Sequence, residues 1–340
     1  MIVAVFCCVL VDAASQPLTQ ITANIGPKPN NVGMFLYKPA KSLASPLPLT
    51  VAIHQCTGSA QGYLQSTQYA NLADEYGFLA IYPNSPRSRS CFDVNTPQTL
   101  SHNSSSDSQG SASMVSYAIS TYEVDSTKVF VPGMSSGAMM TNDMAGSYPN
   151  LFAAASGYSG VPFGCFAGSS SWNSQCSEGQ LVKTAEQWGD GVRAAYPGYT
   201  DSRPRMMLWH GTADMALYYA NYGEEIKEWT DVLGVSQTPT TTTTQNNPQS
   251  GYTKTTYGSE VVGYSATRLS HTVPVHETVD LVYSTGTPTT TLPVSTSPVT
   301  TTSSSAGSTG TGTSGWSGPI SCVTGSTFQV INSYYSQCLP

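Results

Sequence analysis

The residues of this chain that point most directly to chemistry form a Gly-x-Ser-x-Gly pattern with Ser135 at its centre. The pattern follows a short apolar run, 129–131, and leads directly into a stretch of helical character, 138–145. A serine on a sharp turn between a strand and a helix is held out from the sheet, in a strained backbone that only small neighbours permit. We therefore predict that Ser135 is a nucleophile that attacks a carbonyl carbon.

A serine hydroxyl becomes a strong nucleophile only when a base removes its proton, and a carboxylate must orient that base. In hydrolases built on an α/β sheet, the order along the chain is serine, acid, histidine, each after a strand. Asp214 fits the acid position because it lies in the loop after the strand-like run 206–209. His210, at the end of the same run, is expected to bond to backbone groups and hold this loop.

Two of the five histidines follow the acid along the chain. His271 comes after the strand-like run 261–264 and is the predicted base. His276 is the alternative. A helix that begins near Pro274 would contain His276 and leave His271 on a loop, where catalytic residues are common.

The tetrahedral intermediate of such a reaction needs hydrogen-bond donors for its negatively charged oxygen. One donor is the backbone N–H of the residue after the nucleophile, here Ser136, and the other comes from a loop after an earlier strand. The segment 54–58 follows the strand-like run 49–53 and meets this requirement. We assign the second donor to Cys56, with Thr57 as the alternative.

Short apolar runs alternate with helical patterns along most of the chain. The strand-like runs are 49–53, 78–82, 128–131, 151–155, 206–209 and 261–264. The helical patterns are 68–76, 111–122, 136–146, 184–195, 222–233 and 274–283. This alternation predicts a doubly wound, mostly parallel α/β sheet, the α/β-hydrolase arrangement. A Thr-rich stretch, 238–247, is predicted to be a surface loop.

The composition argues for an uncharged ligand. Charged residues make up 10% of the chain, against about 25% in ordinary soluble domains, and neutral polar residues replace them. A net charge of -7 excludes nucleic acid as a partner, because phosphate binding needs a clustered basic surface. No His-x-x-x-His, His-Glu-x-x-His or Cys-x-x-Cys pattern occurs, so we predict neither a metal site nor a cofactor.

The two ends of the chain differ in composition from the rest. Residues 1–15 combine an apolar run with small residues, as a secretory signal does, so we predict a secreted protein. No later run reaches the roughly 18 to 20 apolar residues that span a bilayer, and we expect no membrane partner. Residues 286–314 are almost entirely Thr, Ser, Gly and Pro, which predicts a linker. It separates a catalytic domain, 16–285, from a small module at 315–340, or at 308–340 on a wider boundary.

The cysteine count agrees with export. Eight cysteines are present, and removal of the signal takes away Cys7 and Cys8 and leaves six. In an oxidising compartment we expect these to form disulfides, with four cysteines in the main domain and two near the C-terminus. The sequon at Asn103 predicts N-glycosylation.

The motifs above resemble those of the fungal acetylxylan and feruloyl esterases of carbohydrate esterase family one, related to the polyhydroxybutyrate depolymerase-like esterases. The segments that carry the resemblance are His54–Gly58, Cys91–Asp93, Gly133–Met140, Trp172–Cys176, His210–Asp214 and His271–Val275. The resemblance implies a secreted serine esterase that acts on ester-decorated xylan, with Ser135, Asp214 and His271 as its triad. The expected disulfides of the main domain are Cys56–Cys91, which would anchor the oxyanion loop, and Cys165–Cys176.

Some positions depart from the family pattern and bear on the acyl group. Gln55, Phe92 and the run 104–106 replace the usual residues without touching the triad. The sequence Cys-Thr-Gly at 56–58 is closer to the acetyl branch than to the feruloyl branch. We therefore predict removal of acetyl groups from acetylated xylan. The alternatives are a feruloyl esterase acting on feruloylated xylan and, from another class, a non-catalytic carbohydrate-binding protein.

The end of the chain, 316–339, resembles a family-one cellulose-binding module. Five residues match its sugar-facing strand: Asn332, Tyr334, Tyr335, Gln337 and Cys338. Trp316 is the candidate replacement for a third stacking aromatic. Thr311 and Phe328 stand where two mutually paired cysteines are expected, so the resemblance implies a remaining disulfide, Cys322–Cys338. Ser308 replaces the third stacking aromatic, which predicts weak binding to cellulose. The alternative is a decayed tail with no binding function.

Overall fold

The computed structural model describes residues 15–40, 45–243 and 247–285, and the backbone of two strands near the C-terminus. The chain divides into two compact units, Met1–Thr290 and Thr291–Pro340. The predicted signal, linker, Trp316, Cys322 and Tyr334 lie outside the described residues.

The elements of the first unit alternate between strands and helices, as the sequence predicts. The strands are β1 Thr19–Ile21, β2 Gly33–Tyr37, β3 Leu47–Val51, β4 Leu79–Asn84, β5 Val124–Met134, β6 Ala154–Tyr158, β7 Arg205–Gly211, β8 Thr241–Thr243, β9 Tyr252–Tyr257 and β10 Val261–Ala266. The helices are α1 Ala60–Ser66, α2 Tyr69–Tyr76, α3 Asp107–Tyr122, α4 Ser136–Ser147, α5 Ser174–Ser177, α6 Ala185–Ala194, α7 Ala220–Val232 and α8 Glu277–Thr285. In the second unit, Thr327–Asn332 (β11) pairs antiparallel with Tyr335–Leu339 (β12).

The strands of the first unit form one sheet in the order β1-β2-β4-β3-β5-β6-β7-β10-β9-β8. The central strands run parallel to one another; in spatial order they are β4, β3, β5, β6, β7 and β10. Antiparallel strands extend the sheet on both sides, β2 and β1 beyond β4, and β9 and β8 beyond β10. The predicted doubly wound, mostly parallel sheet is confirmed. Parallel strands place their carboxyl ends at one edge, where ligand sites form in open α/β sheets.

Two apolar layers cover the two faces of this sheet. Along β7, Met206 and Leu208 point into the layer beneath α3, α4, α6 and α7, whereas Met207 and Trp209 point into the layer beneath α1, α2 and α8. Successive side chains of a strand face opposite sides, so a strand buried on both faces is a continuous apolar run. This explains why the central strands are recognisable in the sequence.

The antiparallel strands β1, β2 and β9, which lie near the two ends of the sheet, were not predicted. Their residues are partly exposed or lie among polar neighbours; β9, for example, reads Tyr-Thr-Lys-Thr-Thr-Tyr and is half-buried along its middle. Antiparallel edges need only one apolar face and produce a weaker signal than buried parallel strands. The Thr-rich stretch predicted to be a surface loop contributes the short exposed strand β8.

Several predicted boundaries are wrong. Helix α3 begins at Asp107 and strand β5 at Val124, each four residues before its predicted start at 111 or 128. The strand expected at 151–155 begins at Ala154, because Pro149–Leu151 forms a 3₁₀ turn with proline at its start, where the missing N–H costs nothing. The helix expected from Pro274 begins at Glu277. Among the described residues, no helix is long and apolar enough to cross a membrane.

Candidate active site

Ser135 lies at the turn between β5 and α4, with φ 55° and ψ -118°. A non-glycine residue in this region costs about 1–3 kcal/mol and is retained where the surroundings enforce it. Here the Ser135 N–H donates to the carbonyl of Tyr158 at 2.9 Å, and the Ser135 carbonyl accepts from Met139 N–H at 2.9 Å. Strand β6 and helix α4 therefore hold the strained residue from both sides.

The two glycines of the pattern are required by close backbone contacts. A Cβ atom on Gly133 would lie 2.2 Å from the carbonyl oxygen of Gly137. A Cβ atom on Gly137 would lie 2.1 Å from the carbonyl oxygen of Ile53. Real Cβ contacts are never this short, so only glycine fits, and the Gly-x-Ser-x-Gly spacing follows from the packing of β5, α4 and the chain after β3.

The structure brings together the three residues that the sequence singled out. His271 Nε2 lies 2.8 Å from Ser135 Oγ, and His271 Nδ1 lies 2.8 Å from Asp214 Oδ2. The carboxylate accepts a hydrogen bond from Nδ1–H, which leaves Nε2 free to accept a hydrogen bond from the serine hydroxyl. Each residue follows a parallel strand, β5, β7 or β10, so the loops at one edge of the sheet assemble the site.

Asp214 is held by its own loop and by His210. Its Oδ1 atom accepts the N–H groups of Ala216, at 2.8 Å, and Leu217, at 3.0 Å. His210 Nε2 lies 3.2 Å from Asp214 Oδ2 and 2.7 Å from the Leu217 carbonyl oxygen. Burial acts to raise the pKa of Asp214, but the hydrogen bonds from His210 and His271 outweigh it and hold the pKa well below its usual range. The acid is therefore ionised, and His210 anchors the loop as predicted from the sequence.

The alternative base, His276, takes a different place. It lies just before α8, where its carbonyl accepts from Asp280 N–H at 3.0 Å, so it caps the helix instead of lying within it. Its N–H donates to the Tyr158 hydroxyl at 3.0 Å, and its ring stacks on Trp209 with a centroid distance of 4.8 Å. Burial lowers the pKa of His276. Both histidines lie outside the helix, so the prediction that His276 lies within it is wrong, and the hydrogen bonds of His271 distinguish the two.

The candidate oxyanion donors are the backbone N–H groups of Ser136 and Cys56. Ser136 is the first residue of α4, so its N–H has no acceptor within the helix. Two backbone hydrogen bonds join the chain after β3 to β5. Ile53 N–H donates to the Pro132 carbonyl at 2.9 Å, and the Ile53 carbonyl accepts from Met134 N–H at 3.2 Å. The N–H of Thr57 donates to the Arg89 carbonyl at 2.6 Å and is thus engaged.

A disulfide and a buried histidine brace this loop. Cys56 is bonded to Cys91, and the next residue, Phe92, packs its ring 4.9 Å from that of His54. His54 Nε2 accepts from Ser85 N–H at 3.3 Å, so its Nδ1 donates to the Gln55 carbonyl at 2.7 Å. Burial lowers the pKa of His54, which suits this neutral, structural role. The bracing role of His54 and Ser85 was missed, because no local pattern connects them.

A second disulfide, Cys165–Cys176, closes the loop after β6. Cys338 and the carbohydrate-binding candidates Asn332, Tyr335 and Gln337 lie on β11 or β12, of which only the backbone is described. Within the described part of the chain, no group of His, Cys, Asp and Glu side chains could hold a metal ion.

Two buried carboxyl groups, on α7 and α8, were also missed. Asp280 accepts hydrogen bonds from the hydroxyls of Tyr69 and Tyr158, and Glu225 accepts from Asn142 Nδ2 at 2.8 Å. Both carboxyl groups are buried, and burial raises the pKa of each to about 7. In the sequence they resemble ordinary helix-surface acids, and only long-range packing makes them internal.

Comparisons with known proteins agree with this geometry. The profile of the Esterase PHB depolymerase family matches residues 32–184. The chain is 45% identical to a probable acetylxylan esterase A of Aspergillus fumigatus, over 96% of this chain and 92% of the relative. It is also 45% identical to acetylxylan esterase A of Talaromyces purpureogenus, over 95% of this chain and 91% of the relative. The solved acetyl xylan esterase from Aspergillus awamori, also 45% identical, superposes with a TM-score of 0.77 and covers 80% of this chain and 100% of its own. These likenesses confirm the resemblance found in the sequence: the chain belongs to the fungal acetylxylan esterase family, among the polyhydroxybutyrate depolymerase-like carbohydrate esterases of family one.

Proposed function

We propose that this protein is a serine esterase that removes acetyl groups from acetylated xylan. The observation that carries the proposal is the unbroken chain of hydrogen bonds from Ser135 Oγ through His271 to the buried carboxylate of Asp214. The names of relatives that share 45% identity over nearly the whole chain support the substrate.

In the first step, Ser135 Oγ attacks the carbonyl carbon of the acetyl ester while His271 Nε2 accepts the hydroxyl proton. The ionised Asp214 stabilises the imidazolium that forms, and its depressed pKa keeps it charged during this transfer. The backbone N–H groups of Ser136 and Cys56 donate to the developing oxyanion. Loss of one such donor typically costs about 10²- to 10³-fold in turnover.

In the second step, the intermediate collapses and the bond between the acyl carbon and the sugar oxygen breaks. His271 passes its proton to that oxygen, so the sugar leaves as a hydroxyl and an acetyl group remains on Ser135. A water molecule then attacks the acetyl carbon while His271 takes its proton, and His271 returns that proton to Ser135 Oγ as the bond to the serine breaks. Acetic acid leaves and ionises to acetate in solution. Atoms and charges balance without a cofactor.

The test is acetate release from acetylated xylan by the wild type and by Ser135→Ala. The exposed serine Ser116, on α3, provides a matched control as Ser116→Ala. We expect activity in the wild type and the control and a loss of at least about 10⁴-fold in Ser135→Ala. Equal rates in all three proteins would leave no role for Ser135.

The acyl preference is tested by comparing rates on acetylated xylan and on methyl ferulate. The Cys-Thr-Gly sequence of the oxyanion loop supports acetyl, as do the names of the relatives. A higher rate on methyl ferulate would assign the enzyme to feruloylated xylan instead.

We further propose that the protein is secreted after removal of residues 1–15, and that the Ser/Thr-rich segment tethers the catalytic domain to a module with weak affinity for cellulose. Composition supports the tether, and the residue pattern at the C-terminus supports the module. Retention on cellulose is expected to fall when Tyr334→Ala and Tyr335→Ala are combined. Unchanged retention would show that the module does not bind through these rings.

A further inference from the structure

Most of the exposed large apolar side chains lie in connections that leave the carboxyl ends of the parallel strands. Among the described residues, the exposed large apolar side chains are Trp172, Val182, Met215, Tyr218 and Tyr76. We call the first four the apolar rim. Trp172 and Val182 lie before and after α5 in the connection that leaves the carboxyl end of β6, and Met215 and Tyr218 lie in the loop that follows β7. Tyr76 ends α2, just before β4 begins, and so lies at the opposite edge.

The two loops that carry the apolar rim are joined to each other. Tyr218 N–H donates to the Ser177 carbonyl at 2.7 Å, and Asn221 Nδ2 donates to the Cys176 carbonyl at 3.0 Å. Met215 directly follows Asp214 in the chain. The apolar rim therefore begins beside the candidate triad and continues onto the loop after β6.

Trp172 is the largest member of the rim, and its loop is braced. The Cys165–Cys176 disulfide closes this loop, and Asn173 Nδ2 donates to the Cys165 carbonyl at 3.3 Å. The indole meets the buried ring of Phe166 nearly at right angles, with centroids 5.4 Å apart, yet 54% of Trp172 remains exposed. The structure thus presents a positioned indole to solvent.

The chemistry of the loop selects the kind of ligand that would cover this ring. No charged residue occurs from Cys165 to Ser177, where Ser and Asn surround the tryptophan. A flat aromatic surface in neutral polar surroundings is complementary to a sugar ring, which has an apolar face and uncharged hydroxyl groups. An anionic ligand or an anionic membrane surface would find no cation between Cys165 and Ser177.

We propose that Trp172 forms a stacking subsite for a sugar ring of the xylan chain whose acetyl group reaches Ser135, with Met215 and Tyr218 extending the apolar rim toward the triad. This inference rests on the proposed function and adds to it a binding site on the catalytic domain. The enzyme would thereby hold the polymer at a point away from the reacting ester.

The test compares two substrates in Trp172→Ala, Trp172→Tyr and the control Tyr76→Ala. The quantity is the ratio of kcat/KM for acetylated xylan to kcat/KM for p-nitrophenyl acetate, which is too small to span both places. We expect this ratio to fall about 10-fold in Trp172→Ala, mainly through KM, and to be largely restored in Trp172→Tyr. Because the ratio cancels a general loss of active protein, an unchanged ratio in Trp172→Ala would overturn the inference.

Affinity electrophoresis in a gel that contains soluble, deacetylated xylan separates failure of this inference from failure of the proposed function. We expect the polymer to retard the wild type and Tyr76→Ala more than Trp172→Ala. Equal retardation of all three would refute the subsite even if the enzyme deacetylates xylan. Selective loss of retardation in Trp172→Ala would support the subsite even if the reaction were on another ester.

Discussion

Raising the pH from about 5 to about 8 is predicted to lower the free energy of unfolding, because buried carboxyl groups must then ionise inside the protein. Asp280 is the clearest case. It is fully buried, with hydrogen bonds from Tyr69 and Tyr158, and burial raises its pKa from 3.8 to about 7. The nearby carboxyl group of Glu277 also raises the pKa of Asp280, because two negative charges repel each other. Glu225 is buried as well, with its pKa raised from 4.5 to about 7, although His210 opposes the rise.

Proton linkage determines the sign of the effect. Between the unfolded and folded pKa values, the native state binds more protons than the unfolded state, so stability falls as the pH rises. The contribution is complete below the unfolded pKa and is lost as the pH passes through about 7. One pKa unit corresponds to about 1.4 kcal/mol, so the loss is about 4 kcal/mol for Asp280 and about 3 kcal/mol for Glu225. Asp214 has the opposite effect, because its pKa is lower in the folded protein than in the unfolded chain. Its contribution to stability is present at pH values above the unfolded pKa and is lost as the pH falls through the folded pKa.

The assay is urea unfolding of the wild type and Asp280→Asn at several pH values from about 5 to about 8. The amide has the same shape but does not ionise, so the variant should lose less stability than the wild type by about 3 kcal/mol, because about two of the shifted pH units lie between pH 5 and the folded pKa. The exposed Asp201, changed to Asn, is the control and should behave like the wild type. Identical pH slopes for the wild type and Asp280→Asn would refute the account of this carboxyl group.

Other substitutions test the construction of the site. Gly137→Ala should yield little folded protein, because its Cβ would lie 2.1 Å from a backbone oxygen; normal soluble yield and activity would contradict the packing argument. His271→Ala should lower kcat by about 10⁴- to 10⁶-fold, whereas His276→Ala should retain most of the rate per folded molecule; the reverse result would exchange their roles. Replacement of Cys56 and Cys91 by serine should lower the free energy of unfolding by about 2–4 kcal/mol. It should also lower kcat by a larger factor than it changes KM, because the disulfide braces the oxyanion loop. Unfolding midpoints and steady-state rates equal to those of the wild type would show that the bond is dispensable.

The sequence predicted the central sheet because parallel strands buried on both faces are continuous apolar runs. The same regularity located the candidate triad: Ser135, Asp214 and His271 each follow one of these strands, so their loops meet at one edge of the sheet. Half-buried strands such as β9 lack that signal and were missed.

Other features depend on contacts between distant residues that no local pattern encodes. Thr57 was a reasonable oxyanion donor until the structure showed its N–H bonded to Arg89, which is far along the chain. The burial of Asp280 depends on Tyr69 and Tyr158, which come from α2 and β6. His276 was predicted to lie inside a helix because proline is common at the first position of helices, which suggested a start at Pro274. The helix begins three residues later, at Glu277.

Rapid-quench mass spectrometry during turnover of an acetate ester tests the central claim most directly. The account predicts that a transient acetyl group appears on the peptide that contains Ser135, and that Ser135→Ala carries none. An acetyl group on a different residue, or turnover by Ser135→Ala at the wild-type rate, would contradict it.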